Sequence, residues 1–292
     1  LCLVWHLRNK KIVMENCIAH FGSNGVVLDY LRNAELIDCE NLFTVFHGYE
    51  ISRYDQLTLW KEEYGKLGGK LLPISEHWAE SLVNFGANKS SIEVVHMGVD
   101  VDTFSFSDKE LSSPLQVLSV ARATEKKGLK YAIEAILNSE LDVHLTLIGD
   151  GKLLPSLKML VEKHSNKSRV TFLGACPPER VSSELKETDL FLLPSVQDST
   201  GDKEGIPVSL MEAMASGVVV LSTIHSGIPE LIDDGVSGFL VPERDALAIQ
   251  EKMKEIIKNP TLSLIRENAR AKVDNEFNAA TLSKQLLSLI TK

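Results

Sequence analysis

The sequence predicts an α/β protein made of two parallel, doubly wound sheets. Two observations carry this. Apolar runs of strand length alternate with segments of helical period along most of the 292 residues, and that alternation builds parallel sheets with right-handed crossovers. Many strand candidates are apolar throughout, as strands covered on both faces are. A polar, turn-rich stretch, GVDVDTFSFSDKELSSP (98–114), interrupts the alternation and divides it into two Rossmann-like domains.

The residues before about 17, with the charged run RNKK (8–11), read as the tail of a helix. Candidate strands follow at CIAHF (17–21), FTVFH (43–47), KLLPI (70–74) and IEVVHM (92–97). Beyond the interruption they resume at LQVLSVA (115–121), HLTLIG (144–149), VTFLG (170–174), LFLLPS (190–195), VVVLS (218–222) and GFLV (238–241). Between them GLKYAIEAIL sets Leu129, Ala132, Ile133, Ile136 and Leu137 on one helical face. In EGIPVSLMEAMASG (204–217), Pro207 suits the first position of a helix with Ile206 as its N-cap, and Gly217 suits the position after its last turn. FNAATLSKQLLSLI reads as a final helix.

A chain that is 44% hydrophobic and 24% charged is globular rather than disordered. The formal net charge of -9 argues against a nucleic-acid partner. Cys2, Cys17, Cys39 and Cys176 form no C-x-x-C pair and read as reduced thiols of a cytoplasmic protein. No apolar run approaches the roughly 20 residues of a membrane span. LCLVWHL is too short for a signal peptide.

Ligands of such sheets collect beyond the C-terminal strand ends. His20 and Gly22, His47 and Gly48, Ser75, Arg122, Gly149, Pro194 and Ser195 fall there. Each alone is better explained by an ordinary solvated loop; their common edge favours a site. Glu204 and Glu212 stand eight positions apart, one in the loop before a helix and one inside it. With Ile206 as N-cap, no side-chain oxygen satisfies the first helical N–H groups, and such a helix end suits a phosphate. The carboxylates suit hydroxyls. A nucleotide sugar offers both, and neither glutamate is expected in the core. Arg122 and Lys127 at a strand end would offset a diphosphate. The competing reading of the segment is an ordinary hydrated helix start with a solvated Glu212.

EGIPVSLMEAMASG resembles the E-x7-E segment of retaining glycosyltransferase family 4, of the GT-B fold: two Rossmann-like domains facing a cleft. FHGYEIS, ISEHWAESLVNFGANKSSIEVVHMGVDVDTF, SVARATEKKGLKYAIEA, LIGDG, DLFLLPS and SGIPELIDDGVSGFLVP resemble the same family. The combination of IAHFG, FHGYEIS and LLPSVQDSTGDKEGIPVSLMEAM resembles bacterial exopolysaccharide enzymes of the colanic-acid type.

The resemblance implies roles at the matching positions. Arg122 and Lys127 would hold the donor diphosphate, Glu204 the donor sugar hydroxyls and Glu212 the ribose. The N–H groups from Gly205 through Ile206, Pro207 and Val208 to Ser209 (the proline lacking one) would approach phosphate and sugar, and Gly174 would border the base. His47, with Glu204 the implied catalytic residue, would lie over the reacting sugar; His20, Gly22 and Gly48 would lie on the acceptor side. It further implies a UDP- or GDP-sugar donor, a glycan or lipid-linked acceptor, no metal or other cofactor, and a cytoplasmic protein with a peripheral seat at the inner membrane face. The implied domains are an acceptor-side domain at 1–105, a nucleotide-sugar domain at 106–275 and a helix at 276–292 crossing back to the first. Against the family pattern, the opening βα units are expected to be absent, leaving the acceptor side incomplete and transfer weak. The alternatives are a nucleotide-sugar epimerase of the same fold and a two-domain small-molecule binding protein.

Overall fold

The computed structural model describes residues 12–291. They form two compact units. One contains the chain up to Met97, Thr200–Gly205 and the C-terminal helix; the other contains Gly98–Ser199 and Ile206–Ala279.

The first unit is a three-stranded parallel sheet in the order β1 (Ile12–His20), β2 (Ile37–Phe46), β3 (Lys70–Pro73). Helices α1 (Gly22–Asn33), α2 (Tyr49–Ser52), α3 (Tyr54–Lys66) and α4 (Glu76–Asn84) cover it. Its core gathers Phe46, Ile51, Tyr64, Leu71, Leu72, Trp78 and Leu82, all nearly inaccessible. Ser75 starts α4: its hydroxyl accepts the Trp78 N–H at 3.3 Å from extended backbone, the usual N-cap arrangement.

Two expectations for this unit need correction. Ile12–Asn16 belong to β1, paired with β2 from Ile12↔Ile37 onward, rather than to a helix; RNKK and LCLVWHL lie outside the described residues. IEVVHM is not a strand. Ile92 bridges Leu71, and the N–H groups of Glu93 and Val95 donate to the carbonyls of Leu71 and Pro73. The next rung of a parallel ladder needs an N–H from Pro73, which has none, and the pairing stops there.

The second unit is a six-stranded parallel sheet, ordered β6-β5-β4-β7-β8-β9. Its strands are β4 (Leu115–Val120), β5 (Val143–Ile148), β6 (Val170–Gly174), β7 (Leu190–Leu193), β8 (Val219–Thr223) and β9 (Phe239–Val241). The helices, in order, are α5 (Leu129–Leu137), α6 (Leu154–Glu162), α7 (Pro178–Glu187), α8 (Val208–Ala215), α9 (Ile228–Leu231), α10 (Ala246–Ile257) and α11 (Leu262–Glu276). α12 (Ala279–Ile290) follows and packs Leu286, Leu289 and Ile290 against the core of the first unit.

Strand β7 explains why the sheet reads as apolar runs. Leu190 and Leu192 enter the core under α5 and α10; Phe191 and Leu193 enter the core under α8 and α11. All four are fully buried. At about 1.5–3 kcal/mol per large apolar side chain, both faces contribute comparably. The predicted stripe of α5, from Leu129 to Leu137, is buried as a whole. Among the described residues no helix is long and apolar enough to cross a membrane.

Candidate functional site

In the C-terminal unit, β4 and β7 are neighbours, but the chain leaves them in opposite directions, towards β5 and β6 after β4 and towards β8 and β9 after β7. Such a reversal opens a crevice beyond the C-terminal strand ends. Arg122 lies just past β4 and is exposed; Lys127 is half-buried and ends a short 3-10 turn, Glu125–Lys127. Gly128 begins α5 with φ of 63°, and a Cβ there would stand 1.8 Å from the Pro194 carbonyl oxygen. Only glycine lets the loop carrying Lys127 sit on the end of β7.

The loop after β7 is tied down from several sides. The Val196 N–H donates to the Lys126 carbonyl at 2.8 Å. Ser199 donates through its N–H and hydroxyl to the Glu125 carboxylate, at 3.1 and 2.7 Å. Gln197 donates its N–H to Glu243 at 3.0 Å, and its carbonyl accepts from Arg244. The other Glu243 oxygen meets the buried His225 Nδ1 at 2.6 Å. On the two facing loops, Thr124 Oγ1 and Ser195 Oγ are buried with no hydrogen-bond partner. Each open hydroxyl costs about 1–3 kcal/mol, which a bound water or ligand oxygen offsets. Gly174, at the end of β6, has φ of 72°, accepts the Gly149 N–H at 2.8 Å, and leaves open space where a side chain would stand.

Helix α8 begins one residue later than the sequence suggests. Pro207, not Ile206, is the N-cap, because its ψ of 121° is extended; no side chain caps the helix. Ile206, Leu210, Met211 and Met214 are buried, Ser209 is half-buried and Val208 exposed. Glu212 opens onto a groove of about 660 Å³ lined also by Val208, Lys186, Glu179 and Asp100. Burial holds its carboxyl above the ordinary 4.5. A carboxyl raised in the fold contributes stability below its ordinary pKa and loses it as pH rises through the folded value. Glu212→Gln is therefore expected to stabilise the chain near neutral pH and change little in mild acid. Urea unfolding across that range tests the sign; a stability gain confined to the acid side contradicts it.

In the N-terminal unit, His20 ends β1 and His47 follows β2, and the register His20↔Val45 brings them together. His20 Nδ1 lies 2.9 Å from His47 Nε2, with the rings stacked at 5.2 Å. Gly22 opens α1, and Gly48, with φ of 123°, turns the chain into α2. Burial first, and the charge of His20 second, push the His47 imidazole below its ordinary value. Glu50 is wholly buried and accepts the His47 N–H at 2.6 Å. Burial raises its carboxyl, against the pull of the N–H groups of His47, Glu50, Gly48 and Gly22. Thr200–Gly205 belongs to this unit. Lys203 N–H donates to Ser52 Oγ at 3.3 Å, and an added Cβ on Gly205 would stand 3.6 Å from the His47 carbonyl. Glu204 is only 6% exposed, which corrects its expected place outside the core.

The sequence-predicted residues thus form two sets. Glu204, Gly205, His20, Gly22, His47 and Gly48 lie in the N-terminal unit, and Arg122, Lys127, Gly174, Ile206–Ser209 and Glu212 in the C-terminal unit. Glu50 and Glu243 were not anticipated. For Glu50 the signal was present in HGYE: an acid three residues after a strand-end histidine can fold back onto its own loop N–H groups. For Glu243 no local signal exists, because Gln197 is 46 residues away.

Comparison with known proteins adds findings of three kinds. The family profile described as "Glycosyl transferases group 1" matches residues 100–273. WcaL of Salmonella typhimurium strain LT2, named for colanic acid biosynthesis, is 40% identical over 97% of this chain and 71% of its own length. The amylovoran biosynthesis glycosyltransferase AmsK of Erwinia amylovora is 40% identical over 94% of the chain and 69% of its own. Among solved structures, Anabaena HepE in complex with UDP superposes with a TM-score of 0.83 at 18% identity, over 99% of this chain and 81% of HepE; HepE is also known in complex with UDP-glucose. Matched in sequence along almost its whole length and in fold to the GT-B structures, the chain belongs to the group 1 glycosyl transferases.

Proposed function

We propose that this chain transfers a hexose from a UDP- or GDP-sugar to a growing, lipid-linked exopolysaccharide or capsule glycan, with retention at the anomeric carbon. The observation that supports this best is the β4–β7 crevice, where Arg122 and Lys127 stand on one loop and each of the two loops carries a buried hydroxyl without a partner. The relatives named for colanic acid and amylovoran biosynthesis support the acceptor class, and the UDP and UDP-glucose complexes of HepE support the donor class.

In this reading the C-terminal unit holds the nucleotide. Arg122 and Lys127 neutralise the diphosphate, the uncapped start of α8 offers N–H groups to it, Gly174 leaves room for the base, and Glu212 accepts from the ribose. The N-terminal unit supplies Glu204 to the sugar hydroxyls and His47 to the reacting sugar. The bond from C1 to the diphosphate oxygen breaks while the acceptor hydroxyl bonds C1 from the same face. The hydroxyl proton passes to the departing phosphate oxygen. The two cations stabilise the charge that develops there, and such fixed charges act most strongly in the transition state. No metal or other cofactor enters the scheme. A lipid-linked acceptor would bring the enzyme to the cytoplasmic face of the membrane.

The test is turnover of a panel of UDP- and GDP-sugars with lipid-linked glycan acceptors, following release of nucleoside diphosphate and the anomeric proton coupling of the product. Transfer with the donor's configuration supports the scheme. An inverted product rejects retention, and donor turnover into an epimer without transfer rejects the transferase reading.

A further inference from the structure

Three observations in the N-terminal unit converge on His47. The first is the 2.9 Å contact between His20 Nδ1 and His47 Nε2. Two nitrogens at that distance share one proton, because one must donate and the other accept. The second is Phe21, whose φ of 73° is an outlier for a bulky side chain. Backbone of this kind costs about 1–3 kcal/mol and persists only where the surroundings hold it. Here the Phe21 N–H donates to the Val45 carbonyl at 2.9 Å, and the Phe21 ring lies 4.8 Å from that of His47. The strained residue thus seats the His20 loop on the His47 loop. The third is Glu50, wholly buried in α2, whose Oε1 accepts the His47 N–H at 2.6 Å and whose Oε2 has no partner. One buried carboxylate therefore holds the backbone of His47 in place.

Given the transferase function proposed for this chain, we infer that His20 is a positioning residue which couples the tautomer of His47 to its own, so that the neutral pair offers one hydrogen-bond donor and one acceptor to adjacent sugar hydroxyls. The chemistry follows from proton counting. Two neutral imidazoles carry two N–H protons, and one of these lies between the rings. If His20 Nδ1 is the donor, His47 carries its proton on Nδ1 and His20 Nε2 is bare. If His47 Nε2 is the donor, the outer pattern reverses. In both cases the outer nitrogens, His47 Nδ1 and His20 Nε2, form one donor and one acceptor. Neither outer nitrogen bonds another described residue. Neighbouring hydroxyls, each able to donate and accept, match that pattern; a phosphate, which accepts only, does not. Without His20, nothing in the described contacts of His47 pairs its outer nitrogen with a complementary one.

The experiment is imidazole nitrogen NMR on histidine-labelled protein, in the parent chain and in His20→Phe and His20→Asn. His20 is exposed, so neither change empties the core. Phenylalanine keeps the stacked ring but removes the shared proton; asparagine restores a polar group near the Nδ1 position. The parent is expected to show His20 and His47 with matching tautomer populations, both rings protonated on Nδ1 or both on Nε2, and a hydrogen bond between the rings; in His20→Phe that bond is lost, and in His20→Asn His47 stays close to the parent. Donor turnover should fall by about 10- to 100-fold in His20→Phe, the range for a misplaced catalytic contact, with KM for the nucleotide sugar little changed and with most of the loss recovered in His20→Asn. Independent tautomer populations of the two rings in the parent overturn the inference, as does equal loss of turnover in both variants. If the parent itself turns over no donor, the transferase reading fails, and the tautomer comparison still decides the role of His20.

Discussion

Glu204→Gln is expected to lose about 10- to 100-fold in kcat/KM for the nucleotide-sugar donor, the equivalent of a charged hydrogen bond of ~1.5–3 kcal/mol. Affinity for the bare nucleoside diphosphate should stay at the parent value. Glu204 lies in the Thr200–Gly205 segment of the N-terminal unit, whereas the proposed diphosphate and ribose contacts lie in the C-terminal unit. A contact made to the sugar alone must spare the nucleotide. Glu204 is only 6% exposed, and glutamine has the same shape, so the segment keeps its packing. Steady-state kinetics with the sugar donor, beside calorimetry with the bare diphosphate, make the comparison. Equal losses in both would show that Glu204 supports the fold or the nucleotide rather than the sugar.

Arg122→Ala should weaken binding of UDP or GDP by about 1.5–3 kcal/mol, again the range for charged hydrogen bonds, while hardly affecting uridine or guanosine. Arg122 is exposed just beyond β4, and no described hydrogen bond or ion pair within the chain claims its guanidinium. Removing it therefore breaks no internal contact, and the loss reports on the ligand. Glu212→Gln should instead weaken diphosphate and nucleoside alike, since ribose is common to both. Calorimetric titrations of the variants with each ligand separate the two patterns. A guanidinium that reaches only solvent would give no loss for either ligand.

The parts of the fold that follow from local chemistry could be read from the sequence. Leu190–Leu193 is apolar throughout because both of its faces are covered. The stripe from Leu129 to Leu137 is helical because its period matches a single buried face. The C-terminal strand ends were legible to within a few residues, and with them the loops that carry Arg122, Lys127, His20 and His47, whereas β1 and β2 begin well before their expected starts.

What could not be read depends on contacts distant in sequence or on one dihedral angle. IEVVHM has a strand's composition, but whether it pairs is decided by Pro73, on the partner strand, which cannot complete the rung. Pro207 has a φ of -66°, which suits the cap and the first helical position equally; its extended ψ makes it the cap. The His20–His47 contact spans 27 residues and depends on the register of β1 against β2. The burial of Glu204 and Glu50 runs against what their charge suggests, because a carboxylate is buried only where neighbouring N–H groups or a ligand meet it.

The most direct measurement is a calorimetric titration of the chain with UDP- and GDP-sugars, each beside its bare diphosphate and its nucleoside. The account predicts that one nucleotide series binds, that the bare diphosphate keeps most of the sugar donor's affinity, and that the nucleoside loses most of it. Binding as tight for the nucleoside as for the diphosphate, or no binding across both series, would contradict it.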